Sequence, residues 1–335
     1  MRKPRIAFVA GDPNGIGPEL AAKLLARPAN VAAADVVVFA DPAVLAAGER
    51  VAQVRPLVGA GHATLRALDT GGAAAIAPGE STQAGGRAAL AALNAAADAV
   101  AAGEVDGIVF APLNKHALRL AGMTHEDELR MLQARFGVEG FVSEFNITGT
   151  LWTSRVTSHV PLRDVADAIT ADGVVQAVEI VHRYLVASGR PAPRIAVTGL
   201  NPHAGDGGSI GREEIDVIAP AIELARASGI DARGPMPSDT VFVAARRGDY
   251  DAVVTMYHDQ GQIAMKLMGF EKGVTLHGGL PVPVATCASG TAFDIVGRNV
   301  ANVEGLQQAF DLAVAIASRQ ARPAEPLPGS VRSAA

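Results

Sequence analysis

Residues 251–270 of the chain, DAVVTMYHDQGQIAMKLMGF, contain the pattern that decides the fold. A short apolar run at 252–257 is followed at once by polar residues, which is typical of a buried parallel strand. We predict that this strand ends at His258 and that a helix covers residues 262–268. A histidine, a carboxylate and an amide would then lie at the carboxyl end of a strand, where open α/β sheets bind ligands. The alternative is that His258 and Asp259 only cap the helix, because Asp is a favoured N-cap residue.

The same alternation of short Val- and Ile-rich runs with longer Ala- and Leu-rich segments recurs along the chain. Residues 85–102 have the clearest helical pattern, because Leu and Val are spaced to lie on one face. Four further runs are predicted strands: 5–10, 36–40, 107–111 and 194–200. Such alternation predicts an α/β fold with mixed sheets flanked by helices. A chain of 335 residues is long enough for two domains.

Composition and charge argue against several classes of protein. Hydrophobic residues make up 49% and charged residues 19% of the chain, and its apolar runs are too short to span a membrane. The first residues, MRKPRIAFVAGD, predict a strand and not a signal peptide. A net charge of −5 without a basic cluster argues against nucleic acid as a partner. The single cysteine, Cys287, excludes a disulfide within the chain and favours a cytoplasmic location.

The first turn, GDPNGIGPE at residues 11–19, lies between the first strand and a helix predicted to begin near Pro18. Its glycines allow positive φ angles and close approach of a ligand, and the helix N-terminus favours an anion. The glycines do not have the spacing of the dinucleotide fingerprint G-x-G-x-x-G. Two interpretations stay open, a ligand-binding turn and a tight turn without a ligand.

Three histidines stand in predicted loops or at predicted strand ends: His159, His203 and His258. Neutral imidazole suits divalent Zn, Ni, Co and Fe, and three protein ligands leave positions open for a substrate. The alternative is that each histidine is a hydrogen-bonding loop residue, and their wide separation in the sequence does not decide between the two. The other histidines are interpreted as solvated or structural, in helices or loops without partner residues: His62, His116, His125, His182 and His277.

Several blocks of sequence occur in the order known from one enzyme family: GDPNGIGPEL, APLNKHAL, TSHVPLRDVADAI, GLNPHAGDGGSIGREE, GPMPSDTVF, YHDQGQIAMKL and GTAFDIVGR. On these blocks, which span residues 11–298, the chain resembles the 4-hydroxythreonine-4-phosphate dehydrogenases and their relatives. GDPNGIGPE and GTAFDIVGRNVAN resemble, more distantly, the isocitrate and isopropylmalate dehydrogenases. The two-domain fold of those enzymes lacks the usual dinucleotide fingerprint, which accounts for the glycine spacing noted above.

The resemblance implies a two-domain α/β fold like that of the isocitrate and isopropylmalate dehydrogenases, with a cleft between the domains. The first domain would comprise residues 1–125 and 290–322, and the second residues 126–289. Beyond them, the Pro-rich residues 323–335 are predicted to form a flexible tail.

The resemblance also implies a homodimer whose subunits share each active site. The interface would lie in the second domain, where residues 141–156 look extended and offer Trp152. The family's divalent metal ligands match His159, His203 and His258, and the metal would be Zn, Mg, Co, Mn or Ni. The family reaction is oxidation of a secondary alcohol of a small acidic substrate by NAD, commonly with loss of carbon dioxide. NADP is the alternative cofactor.

Roles for individual residues follow from the same resemblance. The catalytic candidates are Lys115, Asp239, Asp259 and Lys266, and the alternative for both lysines is an ordinary surface position. Cofactor contacts are expected at Gly290, Thr291, Asp294 and Asn302. Substrate contacts are expected at Asp12, Glu126, Asp127, Lys266, Thr275 and Val284.

The chain departs from the family pattern at the expected phosphate contacts. Residues 125–128 read HEDE where the family usually has GHTE, and carboxylates repel a phosphate. Thr275 stands at an asparagine position, Val284 at a substrate-binding arginine position, and Ala288 and Ser289 at an Asp-His pair. Loss of an arginine removes a permanently charged donor of paired hydrogen bonds. We therefore expect a substrate other than 4-hydroxythreonine 4-phosphate.

Alternatives to this reading remain open. Within the family, the substrate could be a sugar-acid phosphate or a carboxylated cyclic dihydrodiol. In another class, a hydrolase or lyase could use the same histidines without redox chemistry. A non-catalytic binding protein is the third alternative, but it would have no physical need for the histidines together with Asp259 and Lys266.

Overall fold

The computed structural model describes residues 2–58, 60–269 and 272–320. The predicted tail at 323–335 lies outside these residues. The strands are β1 (Arg5–Val9), β2 (Asp35–Ala40), β3 (Thr64–Ala67), β4 (Gly107–Phe110), β5 (Ser143–Thr148), β6 (Leu151–Arg155), β7 (Arg194–Thr198), β8 (Asp231–Met236), β9 (Ala252–Thr255), β10 (Val274–Gly278) and β11 (Val284–Cys287). The α-helices are α1 (Gly17–Leu25), α2 (Pro28–Ala33), α3 (Pro42–Ala52), α4 (Gln83–Ala101), α5 (Lys115–Leu120), α6 (Glu128–Arg135), α7 (Val165–Ala168), α8 (Ala171–Ser188), α9 (Ala219–Ala227), α10 (Ser238–Arg246), α11 (His258–Leu267) and α12 (Glu304–Gln320).

These strands form one mixed sheet in the order β3-β2-β1-β4-β11-β10-β5-β6-β9-β7-β8. The first five strands of this order are parallel to one another, and so are the last four. Between them, β10 is antiparallel to both β11 and β5, and β5 is antiparallel to β6. The two parallel halves therefore run in opposite directions. The predicted α/β fold with mixed β structure and flanking helices is confirmed, and its division into two domains stays a prediction.

Helix α11 begins earlier than the predicted 262–268. It starts at His258, because the Gln260 side chain accepts a hydrogen bond from Met256 N–H at 2.8 Å and turns the chain directly from strand into helix. Tyr257 occupies the N-cap position, and no side chain caps this helix. The alternative that His258 and Asp259 only cap the helix is therefore wrong.

A continuous apolar core covers one face of the sheet, under α8 and α12. Phe145 and Ile147 of β5 and Leu276 of β10 point to this face. Trp152 of β6 joins them: it is 3% exposed, and its ring centroid lies 5.7 Å from that of Phe145. The expectation that Trp152 is available for a subunit interface is therefore wrong.

The opposite face carries two separate apolar clusters. One surrounds Ile108 and Val284 under α4 and α6, and the other surrounds Val253 and Met265 between the sheet and α10 and α11. Between the clusters, the middle strands present polar side chains, which we call the polar stripe: Glu144, Asn146, Thr153, Arg155, Thr275 and His277. The strand register sets these side chains beside one another across three strands.

The packing around Phe145 predicts a large effect of mutation. Phe145 is fully buried, with its ring between those of Trp152 and Tyr184. We expect Phe145→Ala to lower the free energy of unfolding by about 3–5 kcal/mol, because it leaves a cavity in the core. Leu224, which is 56% exposed, provides the control, and Leu224→Ala should change stability by less than about 0.5 kcal/mol. If urea denaturation showed the same loss in free energy of unfolding for both variants, this packing would be contradicted.

Candidate active site

The segments after β6 and β9 bring two of the three predicted metal ligands together. Beyond the last residues of these strands, the Thr157 N–H and hydroxyl both donate to the Met256 carbonyl, at 3.1 and 2.8 Å. These bonds hold the two chain segments side by side, and the ring centroids of His159 and His258 lie 5.7 Å apart. Two imidazoles at this separation offer nitrogen donors of the kind that divalent cations accept.

Carboxylates lie beside both imidazoles. His258 Nδ1 is 2.7 Å from Asp259 Oδ1, and the Glu126 carboxylate contacts His159 Nδ1. Ligand atoms of Glu126, Asp127 and His159 lie within 4.8 Å of one another, and Asp127 also caps the N-terminus of α6. A carboxylate beside an imidazole fixes its orientation and tautomer. Glu126, Asp127 and Asp259 thus lie beside the two paired histidines.

A cavity of about 480 Å³ opens over the two imidazoles, which is enough for a small organic acid. Its lining combines polar and apolar groups: Thr157, His159, Val160, Leu162, Val165, Tyr257, His258, Asp259 and Ile263.

His203 lies in the loop that follows β7 and is not among the residues that line this cavity. The backbone φ angles of residues 203–207 are all positive, a conformation that is strained for residues other than glycine. In the described part of one protomer, the ligand atoms of His159, His203 and His258 do not form a group within 4.8 Å. Among the described residues, the ring pairing thus joins two of the three predicted ligands, His159 and His258.

Glu214 holds the start of the His203 loop in place. Its Oε1 accepts hydrogen bonds from the N–H groups of Leu200 (2.8 Å) and Asn201 (2.7 Å), and Asn201 Nδ2 donates to its Oε2 at 3.0 Å. Burial opposes ionisation, but these hydrogen bonds outweigh it and hold the pKa of Glu214 below its usual range. The loop around His203 is thus fixed by the charged carboxylate of Glu214, a role that the sequence motifs do not indicate.

Gln260 links the same loop to helix α11. Its Nε2 donates to the Gly199 carbonyl at 3.0 Å, while its Oε1 accepts from Met256 N–H. The loop of His203 and the first turn of the helix that carries His258 are therefore held at a defined separation.

The turn at residues 11–19 lies at a different place in the sheet. It follows β1, whose carboxyl end is at the edge opposite to that of β6, β7 and β9. The Ile16 N–H donates to the Thr291 carbonyl at 3.0 Å, so the turn packs against a predicted cofactor residue. Asp12 is 1% exposed. Burial raises the pKa of its carboxyl, although the hydrogen bond that it accepts from the Asn14 N–H acts in the opposite direction. Asp12, a predicted substrate contact, is thus buried in a turn at the edge of the sheet opposite to the paired histidines.

Two predicted substrate contacts and one histidine lie inside the fold. Thr275 Oγ1 is 3.5 Å from Asn146 Nδ2, within the polar stripe. Val284 is 0% exposed in an apolar cluster and offers no surface to a ligand, contrary to its expected role. His277 lies in β10, 2% exposed, with Nε2 3.7 Å from a Glu144 oxygen. Its interpretation as a helical or loop histidine without a partner is therefore wrong.

The other predicted site residues are exposed at the ends of elements or in loops: Lys115, Asp239, Lys266, Gly290, Asp294 and Asn302. Their exposure fits contact with a ligand as well as an ordinary surface position. The polar stripe, by contrast, was not predicted, although the alternation of SEFNIT in β5 could have indicated it. Glu144 and Asn146 occupy every second position there, as side chains on one face of a strand do.

The chain matches the family model described as pyridoxal phosphate biosynthetic protein PdxA over residues 28–313. The chain belongs to the PdxA family. The resemblance found in the sequence motifs is thereby confirmed, and PdxA proteins are a family of dehydrogenases. No helix in the described residues has the length and apolar character needed to cross a membrane.

Individual PdxA relatives match nearly the whole chain. A Pseudomonas aeruginosa protein provisionally named 4-hydroxythreonine-4-phosphate dehydrogenase 2 is 47% identical, over 92% of this chain and 96% of its own. The crystal structure of 4-hydroxythreonine-4-phosphate dehydrogenase from Klebsiella pneumoniae has a TM-score of 0.79 and 34% identity, covering 94% and 98% of the two chains. A terephthalate 1,2-cis-dihydrodiol dehydrogenase from Burkholderia xenovorans has a TM-score of 0.69 and 30% identity, covering 94% and 98%.

The low pKa of Glu214 predicts a pH-dependent contribution to stability. A carboxyl whose pKa is lowered by folding stabilises the protein above its unfolded-state pKa, and this contribution is lost as the pH falls through the folded-state pKa. We expect Glu214→Gln to lower the free energy of unfolding at pH 7 by about 1–3 kcal/mol. The difference in free energy of unfolding between the variant and the wild type should become smaller in acid, as measured by urea denaturation at several pH values.

A surface glutamate provides the control for this experiment. Glu223 is 67% exposed in its pair with Arg226, so Glu223→Gln should have little effect at any pH. A Glu214→Gln deficit that stays constant from neutral to acid pH would contradict the role assigned to the carboxylate.

Proposed function

We propose that this PdxA protein is a metal- and NAD-dependent dehydrogenase. It oxidises a secondary alcohol in a small acidic hydroxy compound, with loss of a neighbouring carboxylate as carbon dioxide. The observation that carries the proposal is the pairing of His159 with His258 beside carboxylates, in a chain that belongs to a dehydrogenase family. NADP is the alternative cofactor, and the cytoplasm is the proposed location.

The donors around the cavity fit a divalent cation. His159 and His258, with His203 as the third ligand, would hold it, and imidazole suits Zn, Co, Ni and Mn better than Mg. A bound cation would lower the pKa of a chelated alcohol and polarise the carbonyl that forms. Because Asp259 contacts Nδ1 of His258, it would favour the tautomer in which Nε2 is free to act as a ligand.

Charged side chains would complete the substrate site. Lys115 and Lys266 are exposed cations at the start of α5 and near the end of α11, and either could bind a substrate anion or transfer a proton. Asp239 lies in the first turn of α10, exposed to solvent, and could relay a proton. Lys266 and Asp239 stand at positions that match family residues near the substrate, and Lys115 is a further candidate.

The turn at residues 11–19 is the proposed cofactor site, together with Thr291, Asp294 and Asn302. NAD bound there would supply the acceptor for the hydride of the alcohol carbon. Gly15 packs so closely on Thr291 that a Cβ atom would lie 2.8 Å from the threonine Cβ. The glycine therefore allows the turn and the Thr291 loop to meet, and α1 begins beside them at Gly17.

A homodimer that shares its active sites would complete the histidine set. Large apolar side chains are exposed at and near the cavity: Leu162 is 71% exposed, Ile263 59% and Leu267 84%. An exposed apolar surface beside a polar site is typical of a protein interface. A second protomer on this surface would account for the position of His203 outside the His159 and His258 pair.

The acidic residues at the cavity favour a substrate without a phosphate next to Glu126. Carboxylates repel phosphate, and Glu126 contacts one of the two paired imidazoles. The likeness to a terephthalate dihydrodiol dehydrogenase supports a carboxylated cyclic dihydrodiol as the alternative to a sugar-acid phosphate.

Removal of His203 should remove the metal. We expect His203→Ala to lose bound divalent metal and turnover while the fold is retained, because the side chain projects from a loop. The matched control is His116→Ala, an exposed histidine of α5 outside the cavity, which should retain the metal. Elemental analysis of the dialysed proteins makes the comparison, and full metal content in His203→Ala would refute the ligand set.

Substrate choice can be tested with 4-hydroxythreonine 4-phosphate. Each lost charge-assisted hydrogen bond to the phosphate costs about 1.5–3 kcal/mol, and the Glu126 carboxylate beside His159 repels a phosphate. We expect kcat/KM for this compound to fall below about 10⁴ M⁻¹s⁻¹, the lower end of the ordinary enzyme range. The assay follows absorbance of the reduced nicotinamide with NAD and NADP, beside other hydroxy acids and a carboxylated dihydrodiol. A kcat/KM of about 10⁴ M⁻¹s⁻¹ or more would show that other groups bind the phosphate.

A further inference from the structure

We propose that Arg155 is a positioning residue that holds the two paired histidines in their relative orientation, a role that rests on the proposed function. Arg155 ends β6 and is 6% exposed, at the end of the polar stripe nearest the cavity. A guanidinium has five N–H donors in a rigid planar fork, so it can fix several groups in one plane. Its neighbours connect it to both segments that carry the histidines.

The first connection reaches the segment of His159. Arg155 Nε donates to Ser158 Oγ, and Ser158 directly precedes His159. Arg155 itself is anchored by its Nη2, which donates to Glu144 Oε2 at 2.8 Å. The loop that carries His159 is thus tied back to the sheet by a side chain that cannot move independently of β5.

The second connection reaches the helix of His258. Arg155 Nη1 donates to Asn146 Oδ1 at 3.0 Å, and the same oxygen accepts a hydrogen bond from Gln262 Nε2. Gln262 lies in α11 one turn after His258 and is 8% exposed. One amide oxygen therefore joins the arginine to the helix. The segments that carry the two histidines are thus both linked by hydrogen bonds to Arg155, one directly and the other through Asn146.

The charges in this network are compensated within the fold. Burial opposes ionisation of Glu144, but the neighbouring His277, Arg155 and Lys115 outweigh it and hold its pKa below the usual range. A buried ion pair contributes little net stability compared with a well-packed apolar pair of the same size. Positioning of the histidine segments therefore explains the polar side chains at these places better than stability does.

Two variants separate positioning from folding. The double variant Glu144→Met with Arg155→Met removes both charges together, so neither is left unpaired, and it should still unfold cooperatively. Arg155→Lys keeps the charge but loses the planar fork. The matched control is Arg194→Met, which removes an arginine that pairs with Asp251 at the far end of β7 and β9.

The measurement is the affinity of each folded protein for Co²⁺, by competition with a coloured chelator and without any assay of activity. We expect both the double variant and Arg155→Lys to bind Co²⁺ about 10- to 100-fold more weakly than the wild type, as when the partners of metal-binding histidines are removed. Arg194→Met should bind as the wild type does. If the double variant does not fold, Arg155→Lys alone decides the question.

The possible results distinguish this inference from the proposed function. Wild-type protein that binds no Co²⁺ would refute the proposed metal site and the positioning role with it. Wild-type binding with unchanged affinity in the folded Arg155 variants would refute the positioning role alone. Equal weakening in Arg194→Met would also refute it, because a general loss of rigidity would then explain the effect.

Discussion

Three antiparallel pairings in the middle of the sheet, of β11 with β10, β10 with β5 and β5 with β6, are the constraint on which the rest of the structure depends. Because their number is odd, they reverse the strand direction, and the carboxyl ends of β6, β7 and β9 meet at the edge opposite to that of β1. His159, His203 and His258 all follow strands that end there. The turn at residues 11–19 follows β1 and lies at the opposite edge. The proposed metal ligands and the proposed cofactor turn thus follow strands of opposite direction.

The same middle strands determine how the two faces of the sheet differ. On one face their apolar side chains join a core that extends across the sheet, and on the other the polar stripe divides two apolar clusters. A polar stripe at this depth is stable only where its members bond one another, as Arg155 does with Glu144 and Asn146. The face that lacks a continuous core is the face on which α11 lies, with His258 at its first residue.

Much of this architecture could be predicted from local patterns. The strand before His258, the helix of residues 85–102 and the α/β class all follow from hydrophobic periodicity, which is a property of neighbouring residues. The start of α11 could not be predicted, because it depends on a bond from Gln260 back to Met256. The burial of Trp152 and Val284 also escaped prediction, since these residues pair with Ala252 and Ile108, which are far away in the sequence. The family motifs identified the histidines but not their geometry.

The central proposal is that a divalent metal site draws its histidines from two protomers, because the rings of His159 and His258 pair within one chain and His203 is not among the residues that line their cavity. The most direct test is co-expression of His203→Ala with His258→Ala, each inactive alone. If His203 acts across the interface, mixed dimers contain one intact site, and the preparation should recover roughly a quarter of wild-type activity and metal content. If the three ligands come from a single protomer, mixed dimers contain no intact site. The preparation would then stay as inactive as either variant, and the account would be contradicted.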